Sequence, residues 1–123
     1  MNRSINNIKD VKYLIDKIAK AVNQLQSLIK IAFKQQNCDG LDLNRLIEEE
    51  LQLKIDVSNC YSILVKFAYG DGAAPHIIQF NHILEVFIAE LRSSSGLAPG
   101  CTLMLDIFLK EVYDIAIAKL EPL

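Results

Sequence analysis

The sequence predicts an all-α fold, a compact antiparallel bundle of four to five helices with a long N-terminal helix, built by residues 1–123 as a single helical domain. Three observations carry that expectation. Apolar residues recur at steps of three and four along most of the chain. A single short stretch, residues 51–57, alternates with the period of a strand, and a lone strand has nothing to pair with. Turn chemistry at 37–40, 70–75 and 93–100 falls between the periodic stretches. The composition, 51% hydrophobic and 23% charged over 123 residues, is that of a globular domain and unlike a disordered chain.

The first helix is the strongest element. From Ile8 the apolar positions fall at Val11, Ile15, Ile18, Val22, Leu25, Ile29 and Ala32 without a miss. Ser4 offers an N-cap and Asn37, Cys38, Asp39 and Gly40 a closing turn, so the spacing predicts about 30 residues and about 45 Å of helix. Leu14, Ala21 and Leu28 add a third apolar row, so the stripe faces more than one neighbour. Two outcomes stay open: later helices cover the stripe, or part of it is left for a second copy or another protein.

Asp42 is placed to cap a second helix carrying Leu43, Leu46, Ile47 and Leu51, with Glu48, Glu49 and Glu50 solvated beside them. Residues 51–57 read as the end of that helix and a linker. Ser58 then begins a third helix through Tyr61, Leu64, Val65 and Ala68, which Gly70 ends. Pro75 suits the first position of a fourth, lined by Ile77, Phe80, Leu84, Phe87, Ile88 and Leu91. After the Ser-, Gly- and Pro-rich stretch 93–100, Thr102 caps a last helix with Leu105, Phe108, Leu109, Val112, Ile115, Ala116 and Leu120 at helical spacing.

Groups able to do chemistry are few. His76 and His82 are the two histidines, and His82 with Glu85 runs in the order opposite to the Glu-x-x-His of bundle di-iron sites. Gly70-Asp71-Gly72 lacks the spacing of a phosphate loop. Cys38, Cys60 and Cys101 form no paired motif, which points to a reducing compartment and away from a zinc site. The sequence therefore predicts no enzyme, no catalytic residue, no metal and no cofactor; an enzyme using His76 or His82 would need a pocket between helices beside an imidazole. The polar start and the absence of an apolar run near 20 residues predict a cytoplasmic protein with no membrane partner.

Charge is distributed unevenly. Residues 1–37 hold seven basic and two acidic side chains, a net +5, whereas the rest holds six basic and thirteen acidic, a net −7. Opposed charge regions on a helical scaffold suit a protein–protein interaction module that binds and masks a partner, as an inhibitor, immunity-type factor, adaptor or chaperone-like subunit does. Lys12, Lys17 and Lys20 would steer an acidic partner and Glu48, Glu49 and Glu50 a basic one, with apolar residues of the first helix as anchors. Self-association through the first helix would make a homodimer. The alternative is a small helical subunit of a nucleoprotein complex that touches RNA or DNA through the basic first helix. Nucleic acid is the weaker of these expectations, because Tyr13 and Phe33 are not grouped as a stacking platform.

Overall fold

The computed structural model describes residues 5–34, 40–93 and 99–121, and among these every regular element is helical. In chain order they are α1 (Ile8–Lys34), α2 (Gly40–Tyr69), a 3-10 turn (Gly70–Gly72), α3 (Ala73–Ser93) and α4 (Pro99–Leu120). Each of the four α-helices touches the other three, and α1 with α2 is the most extensive pairing.

The start of α1 is fixed by reciprocal side-chain bonds. Asp10 N–H donates to Asn7 Oδ1 at 3.1 Å and Asn6 N–H donates to Asp10 Oδ2 at 2.9 Å. Two backbone donors that the helix cannot satisfy internally are thereby paired, and a carboxylate stands at the positive end of the helix dipole. The cap is therefore Asn7; Ser4 lies outside the described residues. The 27 residues of α1 span about 40 Å.

The segment expected to be a helix end and linker is helix throughout. Residues 51–57 sit in the middle of α2, a continuous element of 30 residues and about 45 Å, which makes α2 longer than α1. Leu51, Leu53, Ile55 and Val57 alternate in sequence, but the inward register of α2 runs Leu46, Leu53, Val57, Tyr61, Leu64 and Ala68 at steps of three, four and seven. Val57 is fully buried and Leu53 packs against the core, whereas Leu51 and Ile55 point outward. The second and third helices expected from the sequence are thus one. Ser58, expected to open a helix, lies within α2, and its hydroxyl donates to Asn81 Oδ1 of α3 at 3.0 Å.

Other boundaries shift by a turn or less. The backbone of α2 is already helical at Gly40, two residues before Asp42. Pro75 is the third residue of α3 and Thr102 the fourth of α4, which begins at Pro99, and proline is tolerated throughout a first turn because its missing N–H has no helical partner there. Gly70 holds φ at 58°, the left-handed conformation that stops α2 and that a side chain disfavours.

The core draws on all four helices. Phe80 of α3 is fully buried, stacked on Tyr61 of α2 with ring centroids 3.7 Å apart, and meets Phe108 of α4 edge-on at 6.3 Å. From α1, Val11, Leu14, Ile18, Ala21, Leu25 and Ile29 are buried in the same cluster, and Ile15 and Val22 pack against it. From Val11 to Leu25 the wide stripe of α1 is thus covered by its own chain, while the side chain of Ala32 lies outside the described residues. Among the described residues no polar or charged side chain is buried. Polar contacts instead tie the helices together at the surface: Lys54 to Glu85 at 2.6 Å and Arg92 to Glu50 join α2 to α3, while Lys119 Nζ donates to the Phe67 carbonyl at 2.9 Å and joins α4 to α2.

Candidate interaction surfaces

Lys12, Lys17 and Lys20 are all exposed on α1, because the buried register at Val11, Leu14 and Ile18 leaves those positions off the core face. They are not equivalent. Lys20 lies 2.9 Å from Asp16, one turn back, and Lys17 Nζ stands 6.0 Å from the centre of the Tyr13 ring. Lys17 also faces α2, where its charge is felt by the Cys60 thiol.

The three consecutive glutamates point three ways, since successive helical residues are turned by about 100°. Glu48 is exposed. Glu49 is exposed and 3.7 Å from Arg45. Glu50 turns inward against α3, its side chain only 14% accessible, and pairs with Arg92. That ion pair takes Glu50 out of any free acidic patch.

The groups with potential chemistry stay apart. His76 stacks on the Tyr69 ring at 3.8 Å, and Tyr69 in turn donates to Glu111 Oε1 at 3.2 Å, so this imidazole packs against the end of α2. His82 is exposed on α3, and Glu85 is taken by Lys54. Among the described residues no three His, Cys, Asp or Glu side chains converge as a metal site would require. Cys60 and Cys101 are buried and unpaired, and burial pushes both thiols up, Lys17 opposing the rise at Cys60 while a hydrogen bond and the charge of Glu90 add to it at Cys101. Cys38 lies outside the described residues.

What sequence reasoning missed is an apolar stripe on the outside of α2. Ile47, Leu51 and Ile55 follow one another at steps of four and are 52%, 55% and 44% exposed. The sequence placed Ile47 and Leu51 on the core face together with Leu46; the signal that separates them is the step of four, which continues to Ile55 and never joins the Leu53 and Val57 register. Further exposed aliphatics are Ile78 on α3 and Leu103, Met104 and Ile107 on α4.

Among the described residues, α2 borders a groove on each of two sides. One, of about 270 Å³, runs along α3 beside Leu51, Ile55, Asn81 and Glu85. A larger one, of about 550 Å³, lies between α1 and α2 with Leu28, Ile31 and Leu53 as its apolar lining and Gln24, Glu49 and Gln52 at its rim. Neither is lined by His76 or His82. Among the described residues no helix is long and apolar enough to cross a membrane. No protein-family model, no curated protein and no solved structure matches the chain.

Proposed function

We propose that this protein is a cytoplasmic protein–protein interaction module, an antiparallel bundle of four helices that works by holding a partner and masking part of its surface. The observation that carries this reading is the exposed stripe of Ile47, Leu51 and Ile55. The core is complete without them, so their exposure is a cost that folding does not recover. Covering each half-exposed side chain with a partner would return roughly 1–2 kcal/mol. Three aliphatics on successive turns, bordered by the α2–α3 groove, suit an amphipathic helix that presents its own apolar residues at steps of three and four. The anchors for this partner thus stand on α2 and not on α1, whose stripe from Val11 to Leu25 packs inside the fold.

A photo-crosslinking residue at Leu51, in cells that make the protein, tests this. A discrete crosslinked product from position 51, lost with Ile55→Asp and absent when the crosslinker stands at Lys110, is the expected result. No product at position 51 beyond that at 110 would remove the stripe as a docking site. The nucleoprotein alternative keeps one observation in its favour, the exposed lysines of α1. It requires an oligonucleotide to bind at low salt and to lose affinity when Lys12, Lys17 and Lys20 are neutralised.

A further inference from the structure

We infer that the α1–α2 face, with its open groove, is the seat of a second copy of this chain, in a two-fold dimer whose axis runs along the helices. This face lies on the other side of α2 from the Ile47–Leu51–Ile55 stripe, so the dimer stands or falls separately from the docking of a foreign partner.

Charge selects the occupant and its orientation. α1 carries six lysines against Asp10 and Asp16, whereas α2, apart from Lys54 and Glu50, which are paired with α3, carries Arg45 and Lys66 against Asp42, Glu48, Glu49 and Asp56. The two helices that border one groove are therefore of opposite sign. A two-fold axis parallel to them lays α1 of each copy over α2 of the other, and the surface becomes its own complement twice over. An axis across the helices would set α1 on α1, lysine against lysine, which is repulsive.

The register of the groove names the contacts. Gln24 and Leu28 line it together with Glu49 and Leu53, and Lys17 stands near Cys60, so α1 and α2 run in opposite senses at fixed levels. Rotation about an axis along the helices keeps those levels. Lys30 then comes over Glu49 of the partner subunit, and Lys20 over Asp56 of the partner subunit. Between these charges Leu28, Ile31 and Leu53 form a dry centre; Ile31, 45% exposed in the single chain, gains most. The size fits as well. Two neighbouring helices about 9 Å apart and about 40 Å long present a face of about 800 Å², what a stable dimer buries per partner. That is about a tenth of the chain's 7812 Å² of accessible surface.

Light scattering with size exclusion on the full chain tests the proposal. At about 100 µM the wild type should show twice the 13.8 kDa chain mass, falling towards it as salt screens the pairs. Lys20→Glu with Lys30→Glu, and separately Glu49→Lys with Asp56→Lys, should each weaken the dimer at least about tenfold, because both variants face like charges in their own homodimers. An equal mixture of the two should recover it, since every pair across the mixed interface is again opposite in sign. Ile31→Asp, at a position already open to solvent, should dissociate the dimer with its helical circular dichroism unchanged. A monomeric wild type, or a dimer indifferent to these variants, or a mixture that stays monomeric, overturns the arrangement.

Discussion

Asn59→Pro separates the two ways of reading the middle of the chain. Were a helix to start with Ser58 as its cap, Asn59 would be its first residue, the position where proline is favoured. In the structure Asn59 lies inside α2, which runs unbroken from Gly40 to Tyr69, and its side chain is exposed. Proline there removes the N–H that bonds to the Ile55 carbonyl and drives its ring into that carbonyl, at a cost of about 3 kcal/mol or more. Because the side chain itself packs against nothing in the core, almost all of the loss belongs to the backbone. An unfolding entropy of about 2.1 cal/mol/K per residue gives about 0.26 kcal/mol/K for a chain of this length, so Tm should fall by about 12 °C. Asn59→Ala is the control, since it keeps the N–H and changes Tm by only a few degrees, upwards by helix propensity. Thermal unfolding of both variants followed by circular dichroism at 222 nm is the assay. If Asn59→Pro melts within about 2 °C of Asn59→Ala, a continuous α2 is refuted.

Phe80→Ala removes a fully buried ring that Tyr61 stacks on and Phe108 meets edge-on, and should cost about 3–5 kcal/mol, read as a lower urea midpoint at unchanged slope. Alkaline pH should destabilise the fold through Tyr61, whose phenol burial pushes well above its ordinary 10.0, the charges of Tyr69 and Glu111 adding to the rise. Below pH 10 the phenol is protonated in both states and stability does not depend on it. Above pH 10 the unfolded chain releases the proton that Tyr61 retains in the fold, so fewer protons are bound unfolded than folded and stability falls as pH rises. Urea midpoints at pH 8 and pH 11 should diverge for the wild type and diverge less for Tyr61→Phe; equal divergence would show that other groups carry the effect.

The sequence by itself determined the all-helical character, the phase of α1 and the inward faces of α3 and α4. There the core residues repeat without interruption, so local periodicity and burial say the same thing. It also determined that opposite charges would stand on different helices, since the split lies in the order of residues along the chain. Tertiary packing decided the rest. In α2 the strand-like alternation of residues 51–57 and the helical register compete, and it is contact of Leu53, Val57 and Tyr61 with α1 and α3 that makes the segment helix and turns Leu51 and Ile55 outward. Packing likewise withdrew Glu50 into a pair with Arg92, and set the basic helix α1 beside the acidic helix α2 along one groove. Side chains far apart in sequence exchange contacts only after the helices have docked, and a pattern read along one helix at a time holds no record of which neighbour each face will meet.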